Sequence, residues 1–518
     1  VDETGAGRRA GDPASTAEPS LLDAAVPAVT LIVLIALTIL LFGTAATDGP
    51  LQVALFTSAT VAGLFAIKNG YSIDRVRAAA VTGVTVGVGP VFILLAIGAL
   101  MGTWNMAGTI PTIVYYGIGI LSATWFYLAA ALICGIVGLA TGSSWTTAGT
   151  LGVAFVAIAP LIGASQPIAA GAVISGAYFG DKMTPISETT VLVPSLVGGV
   201  TVQEHIGAMV WTSGAAYLLA LALFAGIGIV TPSSVTAVDT SGEQAALASV
   251  FWISPVNLLP LLLLFVLSVR RAPAFLAIFA SALLAGILAC FTQPSVVSTF
   301  VGRPDQGPVL VGIEAIYKAM ATGFVSDTGN ATIDGLFSRG GMASMLTTVW
   351  LILGALSFAG IMEDAGFLER LIRPVVAKAR STGQLIMAVL ATAFALNVVA
   401  GDQYVADVLP SRIYRDEFAR RRIAPRMLSR AVEDSGTVTS PLVPWNTCGA
   451  YMAGVLGVAT AAYLPFCFFN IASPLISLIY GFTGFRIERL PPAEATDATP
   501  SVVEAVEGSL GASASGTH

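Results

Sequence analysis

Apolar runs of roughly the length that a bilayer-crossing helix needs, about 20 residues, recur along the chain between short polar stretches. Runs at 24–43, 50–67, 78–102, 207–230, 250–268, 274–292, 343–362 and 461–484 predict membrane-crossing helices. Two further runs, 166–198 and 432–457, are interrupted by polar residues and proline, and predict discontinuous crossings. Two segments, 124–163 and 383–411, carry a polar tip between apolar arms: Thr141-Gly-Ser-Ser-Trp145 and Ala400-Gly-Asp-Gln-Tyr404. They read as re-entrant hairpins, because non-helical backbone at membrane depth is tolerated only where it lines a cavity or is buried in protein. No Asp, Glu, Lys or Arg occurs from Ala78 to Gly180 or from Ser435 to Phe485.

Composition agrees with a membrane solvent. Of 518 residues, 55% are hydrophobic and 10% charged, against about 25% charged in a soluble domain. This excludes a soluble multidomain enzyme. The net charge of −6 and the lack of a basic domain exclude nucleic acid as a partner, leaving membrane lipid and small solutes. A homodimer is neither required nor excluded. The four cysteines, Cys134, Cys290, Cys448 and Cys467, sit in apolar stretches without metal-binding spacing. The first apolar run, Ala24 to Gly43, is long for a cleaved signal segment.

Basic residues orient the crossings by the positive-inside rule. Lys68, Arg75 and Arg77, the pair Arg270 and Arg271, the cluster from Arg370 to Arg380, seven arginines from Arg412 to Arg430, and Arg486 with Arg489 can all lie on the cytoplasmic side. The loops 44–49, 231–249 and 293–342 then fall outside, and both termini lie in the cytoplasm. In this topology 78–102 and 343–362 run in opposite directions. The halves also share residues in order: Gly98-Ala-Leu100 with Gly354-Ala-Leu356, Ala107-Gly108 with Ala365-Gly366, Gly142 and Trp145 with Gly401 and Tyr404, and Thr184-Pro185 with Ser440-Pro441. Together these predict two inverted repeats, the architecture of secondary transporters. The expected organisation is a polar, disordered tail over 1–23, a transmembrane hairpin over 24–77, a first repeat over 78–230, linking helices over 231–342, a second repeat over 343–485 and a disordered tail over 486–518. The fold class is all-α and polytopic.

The chemistry gathers at the breaks. The first reads Gly180-Asp-Lys-Met-Thr-Pro-Ile-Ser-Glu-Thr-Thr190. Pro185 removes a backbone donor and unwinds the helix, freeing carbonyls. Asp181, Ser187, Glu188, Thr189 and Thr190 add side-chain oxygens, which suit a hard cation such as Na⁺. A carboxylate inside a membrane protein is functional by default, and one such group can hold Na⁺ or H⁺ but not both. Lys182 balances a carboxylate when the cation is absent. The second break runs from Glu433 to Thr447, with Pro441 and Pro444 as helix breakers. Asp434, Thr437, Thr439, Ser440, Asn446 and Thr447 are its candidate ligands, joined by Asp402 from the second hairpin. Asp407, nearer the basic loop, reads as structural, while Glu433, like Asp434, reads as a functional acid or as a helix N-terminal acid favoured by the dipole. His205, in Gln203-Glu-His205, reads as an exposed loop residue. There is no Walker loop to use ATP. With only His205 and His518 present, the zinc-protease motif and bis-histidine haem ligation are excluded. No cofactor is expected beyond the transported ions.

These motifs resemble the NhaC family of Na⁺/H⁺ antiporters over about residues 25–490. The first break, Thr141-Gly-Ser-Ser-Trp145, Ser338-Arg-Gly-Gly341, Asp402-Gln-Tyr404 and above all Glu433-Asp-Ser-Gly-Thr-Val-Thr-Ser-Pro-Leu-Val-Pro-Trp-Asn-Thr-Cys-Gly449 carry the resemblance. It implies the ion-transporter fold, with a transport region moving against a scaffold. Glu188 stands where the family more often has Asp. The family also holds exchangers of malate for lactate coupled to H⁺ and Na⁺. The reading is therefore a secondary transporter of a cytoplasmic membrane, not an enzyme, exchanging Na⁺ for H⁺. Its alternative is an exchanger of small organic anions, and a non-transporting membrane receptor or scaffold is the outsider.

Overall fold

The computed structural model describes residues 18–491 except 121, 123, 231–240, 304–306, 328 and 330. Most of the two expected tails lies outside the described residues. Their described ends are tied into the fold. Ser20 caps the helix Leu21–Phe42, and Asp23 pairs with Lys68 at 2.6 Å. At the other end Arg489 bridges to Ile423 and Glu488 pairs with Arg426.

Every regular element among the described residues is a helix, and Ile423–Arg489 is an isolated bridge. Among the described residues, eight helices are long and apolar enough to cross a membrane, or ten if each of two bent helix pairs counts as one span. Three predicted crossings are redrawn. The run 461–484 starts in Thr460–Phe466, bent by 89° from Thr447–Leu456, and continues in the separate helix Phe468–Thr483. The run 78–102 is divided between helices Ile73–Val86 and Val88–Met106. Pro90 cannot donate to the carbonyl one turn back, and Gly87 gives Leu356 room to pack at the join. The run 250–268 turns by 86° between Gln244–Val250 and Pro255–Val269. Ser254 caps the restart by accepting from Val256 N at 3.3 Å.

Burial separates centre from rim. The stretch Ser144–Leu161 has 83% of its most apolar window buried, against 28% for Leu21–Phe42. The first therefore lies in the middle of the bundle and the second presents Leu40, Leu41 and Val33 outward. Central packing depends on small residues, which let backbones approach. The helix Phe126–Thr141 lies so close to Gln166–Lys182 that a Cβ on Gly176 would come 2.2 Å from the Ala131 oxygen, and one on Gly180 2.4 Å from that of Gly135.

One order of elements occurs twice. A long helix (Val88–Met106; Leu346–Asp364) leads to a shorter one (Thr109–Ile120; Phe367–Lys378). A helix pair with a tight tip follows: Phe126–Thr141 and Ser144–Leu161; Thr382–Val399 and Gln403–Ile413. Next comes a broken helix: Gln166–Lys182 resuming at Glu188–Val197; Pro425–Glu433 and Gly436–Thr439 resuming at Thr447–Leu456. A final helix, Val202–Val230 or Phe468–Thr483, ends each series.

Both tips are built alike. Gly142 (φ +66°) and Gly401 (φ +64°) take the left-handed conformation that a Cβ disfavours. The next residue then caps the following helix: Ser143 accepts from Thr146 N at 3.1 Å, and Asp402 from Tyr404 N at 2.9 Å and Val405 N at 3.2 Å.

Candidate functional site

Both tips and both breaks meet around one cavity of about 780 Å³. Its wall takes Thr141–Thr146 from the first tip, Asp181 and Pro185–Thr189 from the first break, Asp402–Tyr404 from the second tip and Thr447 with Cys448 from the second break. The turn Arg271–Ala274 closes the rim.

Asp181, on the last turn of its helix, accepts from Ser144 N at 2.9 Å. Five residues, Met183–Ser187, separate the two halves of the first broken helix, with Pro185 at their centre. Thr190 Oγ1 ties the halves by donating to the Lys182 carbonyl at 3.1 Å. Glu188 opens the second half, its side chain is exposed to the cavity, and it accepts a hydrogen bond from the Tyr404 hydroxyl. Asp402 is buried and already engaged: besides its two backbone donors, Thr447 Oγ1 donates to Oδ2 at 3.2 Å.

Helices begin at this cavity with Ser144, Glu188, Gln403 and Thr447. Such ends carry partial positive charge, which on its own would attract an anion. Here the protein's own acids meet them. Asp181 takes the Ser144 amide, Glu188 sits in its helix's first turn, and Asp402 takes the Tyr404 and Val405 amides and the Thr447 hydroxyl. Among the lining residues the charged groups are Asp181, Glu188, Asp402 and Arg271. Among the described residues no cluster of three His, Cys, Asp or Glu side chains has metal-binding geometry. The polar lining includes carboxylates and hydroxyl groups.

The structure thus gathers six of the twelve candidate ligands: Asp181, Ser187, Glu188, Thr189, Asp402 and Thr447. Asp434 and Thr437 lie elsewhere. Lys182 does not turn to Asp181. It is buried and pairs with Asp434 of the other half, both side chains 0% exposed. Asp434 Oδ1 also accepts from Thr212 at 3.0 Å and Ser473 at 3.2 Å. Thr437 donates to Asp407 Oδ2 at 3.0 Å, so Asp407 is a buried carboxylate rather than a group beside the basic loop. Ser440 donates to Gln403 Oε1 at 2.9 Å, and Asn446 caps the helix Thr447–Leu456 by accepting from Cys448 N at 2.9 Å.

Carbonyls around the second break are occupied. Tyr463 donates to the Pro441 oxygen at 2.8 Å, Asn470 to that of Val438 at 2.8 Å and Asn397 to that of Gly436 at 2.6 Å. Pro441 and Pro444 interrupt the helix, and side chains rather than a cation answer much of the interruption. His205 is corrected too. It lies in the first turn of Val202–Val230, is 0% exposed, and faces Glu433 with Nε2 3.6 Å from Oε2.

Tyr404 is the residue that sequence reasoning missed. It stood out as the tip aromatic matching Trp145 and within Asp402-Gln-Tyr404, not as a ligand, and its partner Glu188 lies 216 positions away. Trp145 itself stacks on Tyr451, centroids 3.9 Å apart, and its carbonyl accepts from the Tyr451 hydroxyl at 2.7 Å. Replacing Tyr404 with Phe removes a donor that competes with a cation for Glu188. A hydrogen bond to a charged group contributes about 1.5 kcal/mol at the low end, so the apparent KM for Na⁺ is expected to fall up to about tenfold. A rise in KM would instead make the hydroxyl a ligand.

A polytopic helical protein whose interrupted helices surround a carboxylate-lined cavity has the form of a secondary transporter. The chain belongs to the Na⁺/H⁺ antiporter family, whose model matches residues 176–485. It is 36% identical over 414 residues to the Na⁺/H⁺ antiporter NhaC of Alkalihalophilus pseudofirmus, covering 80% of this chain and 86% of that one. It is 37% identical over 441 residues to the malate-2H⁺/Na⁺-lactate antiporter of Bacillus subtilis, covering 84% and 90%. It is also 32% identical over 483 residues to the arginine/ornithine antiporter ArcD of Halobacterium salinarum, covering 92% and 95%.

Proposed function

We propose that this chain exchanges Na⁺ for H⁺ across a cytoplasmic membrane, the two ions competing for the cavity carboxylates. One observation carries the choice of cargo: the cavity presents three acids, while Lys182, the one base within the breaks, is withdrawn into a pair with Asp434. Asp181 and Glu188, with Ser187, Thr189 and Thr447 around them, are the exchanging site. Asp402 shapes it by capping its own helix.

The recurring order of elements supports a pair of inverted repeats, with re-entrant tips meeting near the membrane midplane. The distribution of Lys and Arg supports cytoplasmic termini, and Arg271 and Ala274 on the cavity rim support an opening to that side in this conformation. Side-specific labelling checks the orientation. Asp327 is exposed, and Asp416 has 96% of its side chain exposed. A cysteine at 327 is expected to react with an impermeant thiol reagent from outside only, and one at 416 from inside only. Labelling of both from one side would defeat the inverted arrangement.

Arg271 favours a second reading, exchange of a small organic anion, because it places a guanidinium on the same cavity. Purified protein in proteoliposomes separates the two. An outward Na⁺ gradient is expected to drive proton uptake with no organic acid present. A flux that needs malate or lactate would establish the second reading, and no ion-dependent flux would leave neither.

A further inference from the structure

Behind the cavity lies a polar network that the exchanging site does not use. His205 and Glu433 are both 0% exposed. Neither Glu433 oxygen, nor His205 Nε2, has a hydrogen-bond partner among the described residues. The ring's orientation is fixed from its other side: Ser429 Oγ donates to the Arg426 carbonyl at 3.1 Å and lies 2.9 Å from His205 Nδ1. With its own hydrogen committed, Ser429 accepts from Nδ1–H, so in the neutral ring Nε2 carries the lone pair. That lone pair faces a carboxylate oxygen at 3.6 Å. Two acceptors buried face to face are reconciled by one proton between them, held by the carboxyl or by the ring.

Position gives this proton a route. Ser429 and Glu433 are one turn apart on Pro425–Glu433. The outer end of the pair is near the surface, where Glu204 is exposed and the Arg426 side chain is 33% exposed. At the inner end Glu433 is an electrostatic neighbour of Asp181, in the cavity, and of Asp407. The other charges around the pair are Arg430, on the same helix, with Nε 4.0 Å from Asp434 Oδ2, and Lys182, paired with Asp434. Glu188 faces the cavity, and Glu417, from the adjoining short helix, is engaged by Arg420 and Arg421. The neighbouring helices Phe126–Thr141, Thr382–Val399 and Phe468–Thr483 contain no Asp, Glu, Lys, Arg or His.

We infer that Glu433 and His205 form a proton relay between the cavity and the face bearing Glu204 and Arg426, separate from the Na⁺ site. The inference rests on the antiport reading and adds a path to it. As Na⁺ enters, the proton released by Asp181 passes over bridging water to a Glu433 oxygen. The Glu433 O–H bond breaks as Nε2–H forms, giving imidazolium beside carboxylate. The ring then yields its Nδ1 proton through Ser429 to water at the rim. One proton enters the pair and one leaves; in the opposite half-cycle Asp181 takes its proton from the other side of the membrane, so that H⁺ crosses it.

The test uses the full chain in proteoliposomes, with two readouts on each preparation: sodium-22 self-exchange and Na⁺-driven proton flux. Wild type is scored first. Self-exchange without proton flux there defeats the antiport reading itself, whatever the variants do. Given antiport, Glu433→Gln and His205→Gln are expected to lower proton flux by about a hundredfold, the low end for removing a positioned proton-transfer group. Self-exchange should stay within about twofold of wild type, because neither residue binds the cation. Melting in detergent identifies a variant that fails to fold, and the other then decides. Wild-type proton flux in either folded variant overturns the relay. So does parallel loss of both readouts, which would assign the pair to structure or to sodium.

Discussion

Asp181→Asn and Glu188→Gln are each expected to reduce Na⁺-driven proton flux by at least about a hundredfold, the scale for removing a proton-exchanging group, while the protein still inserts and folds. Amides nearly keep the shape of the acids and remove the titratable charge. The same site gives the wild type a signed pH dependence. Protons and Na⁺ compete for the same oxygens, so acidification raises the apparent KM for Na⁺, by up to about tenfold per pH unit once protons dominate occupancy. The maximal rate at saturating Na⁺ moves much less. Both amide variants exchanging at near wild-type rates would remove the site from these two residues. A wild-type KM that is flat in pH would remove the competition.

The second large effect concerns Lys182 and Asp434. Lys182→Met leaves Asp434 in the core without its lysine partner, Arg430 lying 4.0 Å away. Removing one partner of a buried pair costs about 3–5 kcal/mol, whereas replacing both by apolar groups is often neutral. Lys182→Met is therefore expected to melt far earlier in detergent and to accumulate poorly. Lys182→Met with Asp434→Leu should recover most of the loss. A double variant as unstable as the single one would show that Thr212, Ser473 and Arg430 depend on the Asp434 carboxylate in their own right.

The sequence made the first break legible for a definite reason. Uninterrupted apolar chain ends at Asp181, and Pro185 forbids a regular helix four residues later; both are local facts. Both tips were legible locally too, as short polar stretches between apolar arms, though not the caps that build them. The partners were not. Lys182 and Asp434 are 252 positions apart, and nothing near either one distinguishes a cross-half pair from a neighbouring Asp181–Lys182 pair. His205 looked like a loop residue because Gln203 and Glu204 precede it. A helix starting at Val202 instead turns the third of these polar side chains inward. The second break misled because an interrupted helix leaves carbonyls open while nothing local shows which distant side chains answer them, here Tyr463, Asn470 and Asn397. The cavity itself depends on four segments meeting, and was visible only as four separate polar interruptions.

The stack of Trp145 on Tyr451 has a mechanical consequence. With Tyr178 and Ser440 3.4 Å apart and Lys182 paired with Asp434, it fastens the tip and break of one half to the break of the other. Parts so joined should travel as one piston, carrying the ion with them, instead of parting like jaws. The thickness of the barrier on either side is then set by the stationary helices it slides past. Spin labels at the exposed positions Leu139 and Ala459, which leave the stack intact, would report one fixed separation through the turnover cycle, while a label at Ala274 on the rim would change its distance from both. A separation between the first two that varies with Na⁺ would mean that the halves come apart.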